Sequence, residues 1–397
     1  MFENSWSLIS AFLVFLTGIL FITNFSRYFS LKVKRGLGLY LWHTIFCLLY
    51  FLYSLKNPAD STAYYEKAVS GRFDFEFGTA AVDGLTSILV HGFGFGILSC
   101  FLVFNIFGAV GLLAFDGALK QATQYKSKFL KRLATLIVFL PSVSFWSSAI
   151  GKDAISFLAM GLALWAALQL NKRVWLMIFA IFLMLMVRPH MAGMMIIALA
   201  MSVMFDKKSS PLKRIFLGAV AIAGAAVMVP FALEYAGVSD PSSSEALIDY
   251  VEQRQSYNME GGGGVDIANM SLPMQLFTYM FRPLIFEARS VTTLAAAIDN
   301  LILLYLFVIG FYALIKKKRQ NFTENRKFMW VYVILAWLVL SMTTANLGIA
   351  IRQKWMFAPI LIFLLISVIG KDRRKLTIKN KDGSDINSFV KKQGHNN

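Results

Sequence analysis

Charged and aromatic side chains adjoin several long apolar runs of this sequence at positions where solubility does not require them. In the segment PADSTAYYEKA, Asp60 is followed by Tyr64 and Tyr65. A carboxylate beside aromatic rings suits a saccharide, because the rings stack on the sugar while the carboxylate accepts a proton from a hydroxyl group. The alternative is that Asp60 only caps the amino end of a helix that begins at Ser61.

A second candidate group follows an aromatic stretch that ends with Trp146. Lys152 and Asp153 stand at the mouth of the next apolar run. A lysine ammonium is a compact point charge that neutralises a phosphate. The alternative is a capped helix start, with a snorkelling lysine and a tryptophan that lies at the membrane interface.

Arginines provide further candidates beside two proline turns. In the turn VRPH, the Arg188 guanidinium can hold two phosphate oxygens, and His190 titrates near neutrality and can shuttle a proton. A structural role for His190 is the alternative. In MFRPLIFEA, a proline separates Arg282 from Glu287, so these two residues need not form an ion pair within one helix. The alternative to a functional role is that this segment is an amphipathic interfacial helix.

The elements that must position these residues are predicted to be membrane-spanning helices. Of the 397 residues, 57% are hydrophobic and only 15% are charged, so lipid must be the main solvent. We predict an all-α, polytopic transmembrane bundle over residues 1–370, followed by a basic cytoplasmic tail over 371–397. The apolar runs predict about 11 spans: 6–23, 37–55, 94–115, 133–148, 154–170, 174–187, 191–205, 215–233, 293–314, 328–345 and 355–370.

The distribution of charge predicts the orientation of these spans and accounts for the net charge of +17. Alternate loops hold 29 of the 39 basic residues, as expected for cytoplasmic loops, whereas the other loops hold 16 of the 22 acidic residues. The amino terminus is therefore predicted outside and the carboxyl terminus inside. The large outer loops are 56–93 and 234–292. The only charged residue before the first apolar run is Glu3, and the lack of basic residues there is not typical of a cleavable signal peptide.

The sequence gives no sign of a cofactor or metal site. Cys47 and Cys100 lie within apolar runs and are expected to be buried, unpaired side chains. No histidine cluster or pair of carboxylates has ligand spacing, and no phosphate-binding glycine loop is present. We therefore predict no metal, no cofactor and no nucleic-acid partner.

Three segments carry a resemblance to a known group of proteins. PSVSFWSSAIGKDAISF at 141–157, VRPH at 187–190 and MFRPLIFEA at 280–288 resemble segments of membrane proteins from bacterial polysaccharide gene clusters. These are Wzy-type O-antigen and exopolysaccharide polymerases and relatives of the GT-C glycosyltransferases. The resemblance implies a GT-C-like fold, with Asp60 as the general base or acceptor-positioning group. It also implies that Arg188, Arg282 and Arg352 hold a lipid-linked diphosphate. In this chain the first large outer loop follows two spans, whereas GT-C enzymes commonly have it after one.

The expected function is therefore a membrane glycosyltransferase of the bacterial inner membrane. It would join polyprenyl-diphosphate-linked oligosaccharide units on the extracytoplasmic face, with membrane lipids and other polysaccharide-assembly proteins as partners. The alternatives are a single-sugar transferase with a polyprenyl-phosphate donor, a transporter or flippase for a lipid-linked saccharide, and an acyltransferase that uses His43 or His91, for which the sequence suggests no partner. The predicted catalytic residues are Asp60, His190 and Glu287, and the predicted binding residues are Tyr64, Tyr65, Trp146, Lys152, Asp153, Arg188, Arg282 and Arg352.

Overall fold

The computed structural model describes residues 5–71, 76–204, 263–316 and 325–370, together with isolated positions between 212 and 226. Across these residues the regular structure is helical, apart from one isolated antiparallel bridge between Gly264 and Asn346. The prediction of an all-α chain is confirmed for this part of the protein. Most of the predicted span 215–233, the first part of the outer loop 234–292 and the tail 371–397 lie outside the described residues.

The helices follow the apolar runs closely. In chain order they are α1 (Ser5–Tyr28), α2 (Val33–Ser54), α3 (Asp60–Val69), α4 (Thr79–Ser87), α5 (Ile97–Thr123), α6 (Lys128–Val138), α7 (Pro141–Trp146), α8 (Lys152–Ala167), α9 (Val174–Val187), α10 (Pro189–Met204), α11 (Leu272–Phe281), α12 (Val291–Ile315), α13 (Arg326–Thr343), α14 (Leu347–Gln353) and α15 (Ala358–Val368). A π-helical turn at Ile88–Gly92 follows α4, and short 3-10 turns precede α9, α12 and α15.

Several of these helices are long and apolar enough to cross a membrane. Among the described residues six segments meet that standard: α1, α2, α5, α6 with α7, α12 and α13. The bent pair Leu347–Met356 and Ala358–Val368, which meet at 64°, adds a seventh if it is one broken span. The helices α8, α9 and α10 occupy three further predicted spans but have only 16, 14 and 16 residues.

The centre of the bundle is formed by α5 and α8, which glycines allow to pack very closely. A methyl group added at Gly161 would lie 2.4 Å from the carbonyl oxygen of Gly111, and one added at Gly111 would lie 2.8 Å from the Phe157 carbonyl oxygen. Small residues permit this approach of two backbones, and van der Waals packing then holds the helices together. On the outside, α1 exposes large apolar side chains such as Phe12 and Leu20, as a lipid-facing helix does.

Helix length sets the level at which the chain reverses. At 1.5 Å per residue, α1, α2 and α5 extend about 36, 33 and 40 Å, whereas α8, α9 and α10 extend only about 21–24 Å. The turns that connect the short helices therefore lie deeper in the bundle than the ends of the long helices on that side. The helices α3 and α4 occupy the space between these turns and the ends of the long helices. The Gly78 amide, just before α4, donates a hydrogen bond to the Met186 carbonyl near the end of α9 (2.7 Å).

The opposite end of the bundle gathers the basic loops. The Lys120 ammonium donates to the Ser30 carbonyl (2.8 Å), and the Lys126 ammonium donates to the Ile369 carbonyl (2.8 Å). The Asn325 side chain donates to the Ala167 carbonyl (2.9 Å) at the end of α8. These contacts join the ends of segments that are distant in sequence but share an excess of lysine and arginine.

Candidate functional site

A polar cavity lies where the short helices reverse. It is a small, partly open recess of about 20 Å³, lined by charged residues from four separate segments and by three aromatic rings. The charged residues are Asp60, Lys152, Asp153, Arg188 and Arg352, and the aromatic ones are Tyr50, Tyr64 and Trp146. Because each charged residue stands at or near a helix end, the fold brings them together although they are far apart in the sequence.

Four of the charges form an alternating chain. The Arg188 Nη2 atom donates to the Asp153 Oδ1 atom (2.6 Å), and the Arg352 Nη1 atom donates to the Asp60 Oδ2 atom (2.8 Å). Between them, Arg352 Nε lies 3.1 Å from Asp153 Oδ2, which is an ion-pair distance without the geometry of a hydrogen bond. Arg352 thus links two carboxylates, and Asp153 links two arginines.

The two carboxylates differ in their environment. The side chain of Asp153 is 17% exposed, whereas that of Asp60 is 59% exposed. Burial alone raises the pKa of Asp153, but the charges of Arg352 and Arg188 outweigh burial and leave that pKa below its ordinary value. Asp153 therefore stays ionised at neutral pH and holds the arginines in place. Asp60 is the carboxylate that faces solvent.

Lys152 lies at the first turn of α8, on the rim of the cavity. Its ammonium donates to the Thr79 hydroxyl (3.1 Å). Burial, and then the charge of Arg188, lower the pKa of Lys152 to about 8. The amino terminus of a helix favours anions, and the Arg188 Nε atom is buried beside it without a hydrogen-bond partner in the described part of the chain. This corner of the cavity is suited to an anionic group.

The aromatic residues form the walls of the cavity. The ring centroids of Tyr50 and Trp146 are 5.8 Å apart, with their planes at 72°. Tyr64 is only 7% exposed, and burial raises its pKa above the ordinary value, so its hydroxyl remains protonated at neutral pH. Tyr50 and Tyr64 are both buried, whereas Trp146 is partly exposed, so Trp146 is the ring of this wall that a bound group can contact.

Seven of the eleven predicted site residues line this cavity: Asp60, Tyr64, Trp146, Lys152, Asp153, Arg188 and Arg352. Tyr65, His190, Arg282 and Glu287 do not line it, and their predicted roles stay predictions. The alternative that Asp60 caps a helix begun at Ser61 is wrong, because α3 begins at Asp60 itself and Ala59 holds the capping position.

Arg282 and Glu287 form a local pair after α11. The Arg282 Nε atom donates to Glu287 Oε1 (2.8 Å), and the Leu284 amide donates to Glu287 Oε2 (2.7 Å). The hydrogen bond from Arg282 holds the pKa of Glu287 below its ordinary value. This pair closes the turn between α11 and α12.

Two features of this region were not predicted from the sequence. Tyr50 lines the cavity from inside the predicted span 37–55, where its aromatic side chain gave no signal. His43, for which we expected no partner, has two: its Nδ1 atom lies 2.6 Å from Asn105 Oδ1, and its Nε2 atom lies 3.0 Å from Ser147 Oγ. These partners are 62 and 104 residues away in the sequence, so no local pattern could have identified them.

Within the described part of the chain, no group of three or more histidine, cysteine, aspartate or glutamate side chains is placed to hold a metal ion. Cys47 and Cys100 are both buried and free, as predicted. His91, the other histidine expected to lack a partner, has its Nε2 atom 2.9 Å from the Ala68 carbonyl oxygen.

Comparison with known proteins returned no match among protein-family models, curated proteins or solved structures. The geometry of the cavity is therefore the basis for a functional proposal.

Proposed function

We propose that this protein is a membrane glycosyltransferase that joins polyprenyl-diphosphate-linked oligosaccharide units on the extracytoplasmic face of a bacterial inner membrane. The observation that carries the proposal is the convergence of Lys152, Arg188 and Arg352 with a solvent-facing carboxylate and aromatic walls in one cavity. Transfer of a sugar from a phosphate is favoured by cations that stabilise the leaving phosphate and by a base that accepts the proton of the acceptor.

The orientation follows from the distribution of charge. The basic ends of the helices face the cytoplasm, in keeping with the positive-inside rule, and the cavity opens toward the other side. The polyprenyl tail of a lipid-linked donor stays in the bilayer, while its phosphate and sugar reach the recess above α8 and α9. The helices α3 and α4 cover that recess.

In the proposed reaction, the acceptor hydroxyl oxygen forms a bond to the anomeric carbon as the bond from that carbon to the phosphate oxygen breaks. The proton of the hydroxyl passes to Asp60, and the leaving diphosphate takes the electron pair of the broken bond. Lys152, Arg188 and Arg352 stabilise the departing charge, an effect of about 3–4 kcal/mol per well-placed donor at preorganised sites.

The ion pairs suggest how binding prepares the base. In the free protein Arg352 holds Asp60 at 2.8 Å. A phosphate competes with that carboxylate for Arg352, and Asp60 is then released to accept the proton of the acceptor. Asp153 remains between the two arginines and holds both of them in place.

The test is deletion of the gene followed by electrophoresis of the surface glycan. The deletion should remove long chains, and a gene copy that encodes Arg352→Gln should fail to restore them at normal membrane abundance. The matched control is Lys172→Gln, which removes an exposed cation at the opposite end of α8 and should restore long chains fully. Long chains that persist in the deletion strain would contradict the proposal.

A single-sugar transferase with a polyprenyl-phosphate donor is the nearest alternative, because it needs the same cations and the same base. It predicts a different product. Deletion would leave long chains in place, and each repeat unit would lack one sugar. Mass spectrometry of the released repeat units separates the two reactions.

A transporter for lipid-linked saccharide is a second candidate, and one structural feature favours it. Arg188 stands at the break between α9 and α10, and Arg352 stands just before the 64° bend between α14 and α15. Charges on broken helices are typical of transporters. Purified protein in vesicles should move a labelled lipid-linked saccharide between leaflets if this candidate is correct, without forming a new glycosidic bond.

A further inference from the structure

A second cavity lies at the opposite end of the bundle, between α2, α5 and α6. It has a volume of about 260 Å³, and its charged lining residues are Arg35, Asp116, Lys120 and Lys131. Arg35 stands in the first turn of α2, Lys120 in the last turn of α5 and Lys131 in the first turns of α6. The cavity is therefore bounded by three helix ends and is open on one side.

Part of the charge in this cavity is already compensated. The Arg35 Nε atom lies 2.5 Å from Asp116 Oδ2, and its Nη2 atom lies 2.6 Å from Asp116 Oδ1, which makes a bidentate pair. Asp116 is almost fully buried beneath it. A bidentate arginine–carboxylate pair is strong and geometrically fixed. It forms a rigid wall of the cavity and leaves the lysines as the surplus charge.

The two lysines have no carboxylate partner among the described residues. The Lys120 ammonium donates to the Ser30 carbonyl oxygen (2.8 Å), a neutral acceptor that leaves its charge uncompensated. No ion pair involves Lys131 within the described ranges. Lys120 and Lys131 both line the cavity together with Gln124, whose side-chain amide can donate hydrogen bonds.

The cavity extends along the last two turns of α5, from Asp116 to the end of the helix. From Asp116 to the end of α5 at Thr123 the helix rises about 10 Å. Since the head-group layer of one leaflet is roughly 5–7 Å thick, outside a hydrocarbon core of about 30 Å, a site of this length has room for more than a head group. Leu119 and Ala134 add apolar surface to the same cavity, which suits the glycerol and acyl part of a lipid.

We propose that this cavity binds the phosphate of an anionic phospholipid from the leaflet at the basic end of the bundle, with Lys120 and Lys131 as its ligands. The proposal is independent of the proposed glycosyltransferase activity, because it depends only on residues at the other end of the helices. Basic pockets between spanning helices are known to select anionic head groups. Free inorganic phosphate has the same chemistry, so the experiment must distinguish the two sources.

The test is native mass spectrometry of the full-length protein, extracted from nanodiscs that contain equal amounts of phosphatidylcholine and phosphatidylglycerol. The wild-type protein should retain phosphatidylglycerol in preference to phosphatidylcholine. A cation near an anionic surface contributes about a five-fold change in affinity. The double variant Lys120→Gln with Lys131→Gln should therefore bind phosphatidylglycerol about 30-fold more weakly.

The control variant is Lys34→Gln with Lys172→Gln, which removes the same charge from exposed positions outside the cavity. It should retain phosphatidylglycerol as the wild type does. Equal retention by the cavity variant and the wild type would overturn the proposal, as would equal losses in both double variants. Release of the lipid by millimolar inorganic phosphate alone would assign the cavity to free phosphate and overturn the lipid assignment.

Discussion

Removal of the Arg188 guanidinium tests the ion-pair chain most sharply, because Arg188 is the most deeply buried of its members. Its side chain is 7% exposed, and it lies 2.6 Å from a carboxylate that is 17% exposed. Arg188→Met keeps an unbranched apolar side chain and deletes the charge. Asp153 then retains only Arg352, at 3.1 Å and without hydrogen-bond geometry.

The expected magnitude follows from burial. Two unit charges about 4 Å apart interact by about 4 kcal/mol at an effective dielectric constant of roughly 20. Breaking a buried pair by removing one partner costs about 3–5 kcal/mol, because the remaining charge stays desolvated. Since Arg352 still compensates part of the Asp153 charge, we expect Arg188→Met to lower the free energy of unfolding by about 3 kcal/mol.

A double-mutant cycle gives the decisive comparison. Adding Asp153→Asn to Arg188→Met removes the unpaired carboxylate, while Arg352 keeps Asp60. The double variant should therefore be more stable than the sum of the two single variants implies, by about 2–3 kcal/mol. Reversible denaturant unfolding in detergent micelles measures all four proteins. Lys172→Met, at an exposed position, should change stability by less than about 0.5 kcal/mol. Single-variant effects that add to within about 0.5 kcal/mol would refute the coupling.

Three further predictions concern the base, the cation and the packing of the bundle. Asp60→Asn should lower kcat about 10²–10⁴-fold with unchanged membrane abundance, and an unchanged kcat would remove Asp60 from the reaction. Lys152, with its pKa near 8, should lose its charge as pH rises, so kcat/KM for an anionic donor should fall above pH 8; in Lys152→Arg that fall should be absent. The lowered pKa also affects stability. Between about pH 8 and the ordinary 10.5, Lys152 binds more protons in the unfolded chain than in the folded one, so the free energy of unfolding should rise as pH rises through that window. Gly161→Ala should destabilise the protein by about 1–3 kcal/mol, since the added methyl group would lie 2.4 Å from the Gly111 carbonyl oxygen. The control is Gly38→Ala, whose methyl group meets nothing within 4 Å, and which should be neutral. Equal melting temperatures of the two variants would contradict this packing.

Much of the helical framework could be predicted from hydrophobic runs alone. The predicted span 174–187 coincides with α9, because charged residues bound it on both sides. The breaks in the helices could not be predicted from hydrophobic runs. The bend between α14 and α15 lies at Phe357, inside the predicted span 355–370, where hydropathy shows no interruption; the local feature that marks it is Pro359, in the first turn of α15. The helices α3 and α4 lie in the predicted outer loop 56–93, and their mean hydropathy is too low to signal a span.

The candidate site was predictable residue by residue but not as a set of pairs. Asp60, Lys152 and Arg352 were identifiable because a charge beside an apolar run is costly unless it has a partner. Their actual partners depend on which helix ends meet, and the pairing of Arg352 with Asp60 spans 292 residues. Arg282 and Glu287 carried the same sequence signal, yet their partners proved to be each other.

The most direct test of the proposed reaction uses the purified full-length protein in lipid vesicles with a polyprenyl-diphosphate-linked oligosaccharide. We predict products whose mass rises by whole repeat units, with release of polyprenyl diphosphate, and no such products with Arg352→Gln. Transfer of the intact lipid-linked saccharide between leaflets with no gain in mass would contradict the transferase account and support the transporter.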